Sequence, residues 1–166
     1  MTELEREVLN NDIKEDTQKG KYLTFFIEKV VYAIEIKFVT EIIGIQPITE
    51  IPEVPSYVKG IINLRGKIIP VMDVRIRFKK EPIEYNDRTC IIVVEVNDIS
   101  LGLIVDNVSE VLEIADENIV IPPDMNKGME NKYIKEIGKV DNCVNLILSC
   151  EKLINDNEVE ALSQIV

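Results

Sequence analysis

Residues 51–73 read IPEVPSYVKGIINLRGKIIPVMD. The prolines make the start of this stretch a rigid loop, because proline fixes φ and lacks a backbone N–H. Two apolar runs follow, at residues 60–65 and 67–72, and Gly66 separates them. Short alternating runs around a glycine turn are typical of a β-hairpin. The stretch therefore predicts a hairpin in which Arg65 points outward beside the turn.

The rest of the chain continues this pattern of short strands. Leu23, Phe25 and Ile27 share one face of a strand that a two-residue turn joins to residues 30–36. Residues 89–96 are apolar on both faces, which predicts a central strand. About ten short strands without a long amphipathic helix predict an all-β fold, either a sandwich or a pair of barrels.

Four further segments have predictions of their own. The spacing of apolar residues predicts a short helix over residues 37–43, ended by Gly44, and a strand over residues 45–48. Asp73 is predicted to cap a helical turn. The charged loop at residues 79–87 is predicted as a boundary between two halves.

Composition excludes several classes of function. The 166 residues carry a net charge of −11, which argues against nucleic-acid binding, and no histidine is present to act as general base or zinc ligand. No signal peptide, membrane span, phosphate loop or nucleophile motif is found. The sequence therefore predicts no catalytic residue, no cofactor and no metal. Three cysteines without a CxxC pair predict a reducing cytosol and small buried side chains.

Positive charge is concentrated in residues 59–80. This segment holds seven Lys and Arg residues and one Asp, a net charge of +6, so the rest of the chain carries −17. Such a segment suits docking to an acidic partner. Internal pairing with the acidic remainder explains it equally well.

Two stretches resemble the CheW family of chemotaxis coupling proteins. Residues 51–75 match the run IPxxPxxVxGxxNLRGxIxPVxDLR, with Val74 where leucine is usual, and residues 103–111 match the run V-D-x-V-x-x-V. The likeness extends from Tyr22 to Ile154. It implies two small five-stranded barrels, similar to Src-homology-3 domains, packed around a shared core with short helices at the joins and C-terminus. The expected organisation is a flexible acidic tail at residues 1–20, interleaved barrels over residues 21–155 and a helical segment at residues 156–166.

The resemblance implies a non-catalytic adaptor rather than an enzyme. Similar proteins couple methyl-accepting chemotaxis receptors to the histidine kinase CheA and control kinase activity in receptor arrays. The chain has no histidine for phosphoryl transfer and no room for an ATPase or receiver domain, so it resembles the stand-alone adaptor. The expected location is the cytoplasm, with recruitment to the membrane through receptors and no direct membrane insertion.

The same resemblance implies three sets of contact residues. The receptor tip would lie in a groove between the barrels, in contact with Val39, Ile42, Val108 and Val111 and bordered by Arg65. Val108 and Val111 would point oppositely in a regular strand. The regulatory domain of the kinase would contact Glu41, Ile48, Thr49, Lys59, Gly60 and Ile68. A further array contact would involve Val120 and Met125, where some relatives carry arginine and an aromatic residue.

An ion pair between Glu41 and Arg65 across the seam is also expected. Three other interpretations stay open. The same adaptor could serve a non-flagellar system that controls motility or gene expression; an enzyme could use the barrel scaffold; or Cys90 could mediate regulation by a ligand or by redox state.

Overall fold

The first hairpin shows how alternation builds this protein. In the computed structural model, which describes residues 2–4, 18–122 and 132–154, strand β1 (Lys21–Ile27) pairs with β2 (Val30–Glu35) through a two-residue turn. Glu28 in that turn has φ of 56°, in the left-handed region. The predicted hairpin and its turn are confirmed.

Most of the other elements are also strands. They are β3 (Val39–Gly44), β4 (Val58–Leu64), β5 (Lys67–Asp73), β6 (Cys90–Val96), β7 (Ile99–Val105), β8 (Asn107–Glu113), β9 (Ile119–Val120), β10 (Ile134–Val140) and β11 (Cys143–Leu148). Two short helices, α1 (Val74–Arg77) and α2 (Cys150–Ile154), and two 3-10 turns, Ile36–Phe38 and Asp116–Asn118, complete the described elements.

The strands form two sheets. One has six strands in the order β8-β1-β2-β11-β10-β9, and the other has five in the order β3-β6-β7-β5-β4. The six-stranded sheet therefore combines both ends of the chain, and the five-stranded sheet uses its middle. The predicted all-β fold is confirmed, and the two small five-stranded barrels that the resemblance implied correspond to these two sheets, one of which gains the two-residue β9 as a sixth strand.

The predicted boundary at residues 79–87 is wrong. That loop connects α1 to β6, and the strands on either side of it belong to the same five-stranded sheet. The chain crosses between sheets at the 3-10 turn of residues 36–38 and at Asp106, the single residue between β7 and β8.

Alternation along the strands divides the interior into three cores. The two small inner cores each belong to one sheet, and a large shared core lies between the sheets. On β1, Leu23, Phe25 and Ile27 enter the shared core, whereas Tyr22 enters the inner core of the six-stranded sheet. On β6, Ile92 and Val94 likewise enter the shared core, and the intervening side chains fill the other inner core. The main strand residues of the shared core are Leu23, Phe25, Ile27, Tyr32, Ile34, Met72, Ile92, Val94, Leu101, Leu103 and Val105.

The helix predicted for residues 37–43 is wrong, because this segment contains a bulged strand. Val39 faces Val94 and Glu41 faces Val93, so Thr40 has no residue of its own opposite it on β6. The extra residue shifts the side-chain alternation by one position. The resulting apolar spacing mimics a helical period.

The neighbouring prediction of a strand over residues 45–48 is also wrong. Gly44 ends β3, and the segment that follows pairs only at Thr49, which forms an isolated bridge with Ile61 of β4. This bridge joins the region after one edge strand, β3, to the other edge strand, β4.

The predicted cap and cysteine burial have mixed outcomes. Asp73 caps α1, since its Oδ1 accepts a hydrogen bond from the Ile76 N–H at 3.3 Å. Cys150 is buried, and burial raises the pKa of its thiol to about 12, so it stays protonated at neutral pH. Cys90 is half-buried and Cys143 is exposed, so the prediction of buried side chains is wrong for Cys143.

The predicted helical segment at residues 156–166 and most of the predicted tail, residues 1 and 5–17, lie outside the described residues.

Gly102 provides a test of the packing between β5, β6 and β7. A Cβ at this position would lie 2.7 Å from Val71 Cγ1 and 2.9 Å from Ile91 Cγ2. We expect Gly102→Ala to lower the free energy of unfolding by about 1–3 kcal/mol, as overpacked cores do. Gly44→Ala is the matched control, because no atom lies within 4 Å of its Cβ position. Chemical denaturation measures both variants, and equal losses would contradict the packing described for the inner core.

Candidate docking surfaces

Val39 and Ile42 lie on the same face of edge strand β3. The bulge at Thr40 places Val39 opposite Val94 and Ile42 opposite Ile92, and both partners point into the shared core. Residues three apart in a regular strand would point to opposite faces. The bulge therefore aligns two residues that the resemblance assigns to the receptor groove.

Edge strand β8 repeats this arrangement. Val108 faces Phe25 and Val111 faces Leu23, and both partners again point into the shared core. Two residues of β8 oppose Thr24 in between, so a bulge shifts the alternation. The expectation that Val108 and Val111 point oppositely is wrong for this reason.

These four valine and isoleucine side chains extend the face of the shared core to the surface. Val39 and Val108 are half-buried against the core. Ile42 is 44% exposed and Val111 is 52% exposed. Val39, Ile42, Val108 and Val111 are together referred to as the core-rim surface.

Glu41 and Arg65 form the expected ion pair. Arg65 Nη1 donates to Glu41 Oε2 at 2.6 Å, and Nη2 donates to Oε1 at 3.1 Å. The hydrogen bond to Glu41 raises the pKa of the exposed Arg65 guanidinium. The pair links β3 to the β4–β5 turn, so it connects two parts of one sheet rather than the two sheets. That turn has positive φ at Arg65 and Gly66, and the Gly66 N–H donates to Asn63 Oδ1 at 2.8 Å.

The residues assigned to the kinase lie where the five-stranded sheet closes. The N–H groups of Thr49 and Ile61 each donate to the other residue's carbonyl at 2.9 Å. Gly60 is buried beside them, and a Cβ there would lie 2.0 Å from the Thr49 carbonyl oxygen. Ile48 and Lys59 are half-buried, and Thr49 is exposed. The sheet-closure surface comprises Glu41, Ile48, Thr49, Lys59, Gly60 and Ile68.

Ile68 is the exposed apolar residue of this surface. Its neighbours in β5, Ile69 and Val71, are buried in the inner core, whereas Ile68 points away from that core and is 38% exposed. The alternation predicted for β5 is confirmed.

The residues assigned to the array contact are only partly described. Val120 lies on β9, an outer strand of the six-stranded sheet, and is exposed beside the exposed Ile121. Met125 lies outside the described residues.

A polar cluster that the sequence did not reveal joins the two sheets. Arg75 Nε, on α1, donates to Asp106 Oδ1 at 2.7 Å, and its Nη1 donates to the Glu81 carbonyl at 2.8 Å. The Glu28 N–H, in the β1–β2 turn, donates to Asp106 Oδ2 at 2.7 Å. Arg75 is buried, and its hydrogen bond to Asp106 raises the pKa of the guanidinium. Arg75 lies in the first motif stretch and Asp106 in the second, 31 residues further along the chain. No sequence pattern indicated that they pair.

Several cations of the positive segment contact other groups of this chain. Arg65 pairs with Glu41, Arg75 with Asp106, and Lys80 with Glu28 at 3.6 Å. The guanidinium of Arg77 stacks on the rings of Tyr57 and Tyr133, with its carbon 4.6 and 4.8 Å from the ring centroids. Internal pairing therefore accounts for much of this charge.

Neither a metal site nor a membrane-spanning helix is found within residues 2–4, 18–122 and 132–154. No group of three or more Cys, Asp or Glu side chains in these ranges could hold a metal ion. No helix there is both long and apolar enough to cross a membrane.

Comparisons with known proteins agree with this architecture. A family model described as a CheW-like domain matches residues 21–158. The chemotaxis protein CheW of Klebsiella aerogenes is 29% identical over 150 residues, which cover 90% of each chain. The probable chemotaxis protein CheW of Rhizobium etli is 33% identical over 139 residues, covering 84% of this chain and 90% of the relative. The crystal structure of the scaffolding protein TtCheW from Thermoanaerobacter tengcongensis superposes with a TM-score of 0.76 at 35% identity, covering 84% of this chain and 94% of that one.

Two sheets packed around a shared core, together with the match to a solved scaffolding protein, place this chain among scaffold domains. The chain belongs to the CheW-like domain family.

The polar cluster between the sheets can be tested with Asp106→Asn. This change removes the charge that Arg75 contacts and leaves a buried guanidinium poorly paired, so we expect unfolding free energy to fall by about 1–3 kcal/mol. Asp98→Asn is the matched control, because Asp98 is exposed in a turn with φ of 65°, a conformation that asparagine tolerates. Thermal and chemical denaturation report both. A loss no larger than that of the control would show that the cluster does not hold the sheets together.

Proposed function

We propose that this chemotaxis scaffold couples methyl-accepting receptors to the CheA-type histidine kinase by binding both at once. Family members act in this way in general. The observation that best supports the proposal for this chain is the core-rim surface, where Ile42 and Val111 remain exposed on the face that elsewhere forms the shared core. On each strand the exposed side chain continues a half-buried valine, Val39 or Val108, and apolar patches of this kind mark interaction sites.

The receptor is proposed to bind as a helix in a groove. A helical hairpin presents apolar side chains three and four residues apart, and such a face fits a concave apolar lining. Val39 and Val108 would form the floor of the site, while Ile42 and Val111 would contact the helix from its rim. Arg65, fixed by its two hydrogen bonds to Glu41, would orient the helix beside it.

The kinase is proposed to bind the sheet-closure surface through its regulatory domain. Ile68 offers the exposed apolar contact, and the Thr49–Ile61 bridge fixes the backbone around it. Glu41 is assigned to this surface, and its ion-pair partner Arg65 is proposed to border the core-rim surface. With both assignments, this ion pair would connect the two surfaces directly. Val120 and Met125 are proposed to make the further array contact.

Signal transmission in this proposal needs no bond chemistry. A receptor changes the kinase through the adaptor only if the adaptor interacts differently with the two receptor states. The chain is proposed to be non-catalytic and cytoplasmic, held at the membrane by its receptors. Residues 21–155 are proposed as the coupling domain, with the terminal segments outside it.

Single charge substitutions should separate the two surfaces. We expect Ile42→Glu and Val111→Glu each to weaken binding of a receptor cytoplasmic fragment at least about tenfold, because a carboxylate would be buried against an apolar helix face. Kinase binding by these variants should stay within about twofold of the native value. Ile68→Glu should show the reverse pattern. Isothermal titration with each purified partner measures all three.

Val144→Glu is the matched control. Val144 is 53% exposed on β11 and belongs to none of the assigned surfaces, so its variant should bind both partners normally. If Ile42→Glu and Val111→Glu bind the receptor as tightly as this control, the core-rim surface is not the receptor site.

A further inference from the structure

The two walls of the core-rim surface share one structural device. Each wall is an edge strand with a β-bulge, and each bulge has a threonine hydroxyl bonded across it to the backbone. We infer that Thr24 and Thr40 are positioning residues for receptor binding. Their hydroxyl groups keep the bulges in place. As a result, Val39 and Ile42 stay on one face of β3, and Val108 and Val111 stay on one face of β8. This inference rests on the proposed function and adds to it the residues that set the geometry of the site.

Thr24 provides the stronger case. It is 1% exposed, on β1 opposite the bulge in β8. Its hydroxyl donates to the Glu110 carbonyl at 2.8 Å and accepts from the Glu110 N–H at 3.1 Å. A bulged residue loses its partners in the ladder. The hydroxyl replaces both of them, and an unpaired backbone group at a part-buried position would otherwise destabilise the bulge.

Thr40 acts from the other wall. It is the extra residue in β3, and its hydroxyl donates to the Val93 carbonyl at 3.1 Å. The bond crosses from the bulged residue to the neighbouring strand. Thr40 lies within the bulge of β3, whereas Thr24 lies opposite the bulge of β8. In both cases a threonine hydroxyl is hydrogen-bonded to the backbone across the bulge.

The side-chain alternation in β3 and β8 determines which side chains of these strands face the receptor. Side chains in a strand alternate with a period of two. If a bulge moves or is removed, the side chains on one side of it turn to the other face of the sheet. Without the bulge in β8, Val108 and Val111 could not both face the shared core. Without the bulge in β3, the same holds for Val39 and Ile42. Ile42 or Val111 would then leave the face of its strand that continues the shared core.

Thr24→Val tests this inference, because valine keeps the shape of threonine and has a methyl group in place of the hydroxyl. We expect affinity for the receptor fragment to fall about tenfold, while kinase affinity stays within about twofold. Thr24→Ser should restore receptor binding, since serine keeps the hydroxyl. Nuclear Overhauser contacts between Val111 and Leu23 and between Val108 and Phe25 should weaken in Thr24→Val and persist in Thr24→Ser.

Thr89→Val is the matched control for lost stability. Thr89 is also buried, and its hydroxyl accepts a hydrogen bond from the Asn86 N–H at 2.9 Å, within the loop before β6. We expect this variant to lose stability without a selective loss of receptor binding. Thr40→Val gives a second test on the exposed wall if Thr24→Val does not fold.

The outcomes separate this inference from the proposed function. Unchanged receptor affinity and unchanged Overhauser contacts in the threonine-to-valine variants would overturn the positioning role. So would equal loss of receptor and kinase binding, because that result indicates general destabilisation. A native chain that does not bind the receptor fragment at all would instead overturn the proposed function, and the inference with it.

Discussion

Burial on both faces of the central strands is the constraint on which the rest of this structure depends. Side chains on one face of β1, β2, β6 and β7 fill the shared core, and those on the other face fill the inner core of their own sheet. Burying each large aliphatic side chain contributes about 1.5–3 kcal/mol. Because residues of both sheets fill the shared core, a movement of one sheet relative to the other would disturb that core. The edge strands, by contrast, have apolar side chains that the sheets do not fully cover, and this is where the docking surfaces lie.

Polar contacts add direction to this apolar framework. Asp106 stands where the chain passes from one sheet to the other, and it binds Arg75 and the turn at Glu28 simultaneously. Apolar packing is not directional, whereas these short hydrogen bonds fix one relative arrangement of α1 and the first hairpin. Val108 follows Asp106 by two residues, so the cluster also fixes the point from which one wall of the core-rim surface begins.

Much of this architecture could be predicted from the sequence, because two-residue alternation survives in the regular strands. Leu23, Phe25 and Ile27 were correctly placed on one face, and so were Ile69 and Val71. Two predictions failed because a bulge interrupts the period. The spacing of Val39 and Ile42 suggested a helix, and that of Val108 and Val111 suggested opposite faces; both came from one extra residue in an edge strand. A bulge depends on hydrogen bonds to a neighbouring strand, and no local pattern records which residue that strand provides.

Of two long-range polar pairs in the structure, one was predicted and the other was not. The pairing of Glu41 with Arg65 was expected from the family resemblance and is confirmed, whereas that of Arg75 with Asp106 was not expected. Opposite charges are too numerous in this chain for composition to identify partners. The assignment of the two surfaces to receptor and kinase remains a proposal, supported by family membership and by exposed Ile42, Val111 and Ile68.

The central claim is that one chain holds receptor and kinase at the same time through separate surfaces. The most direct measurement is sedimentation of this chain with a receptor cytoplasmic fragment and the kinase regulatory domain, each at saturating concentration. We expect a species that contains all three proteins, with an affinity for the kinase domain within about tenfold of that measured without receptor, since allosteric coupling is usually modest. Mutually exclusive binding, in which saturating receptor fragment displaces the kinase domain, would contradict it.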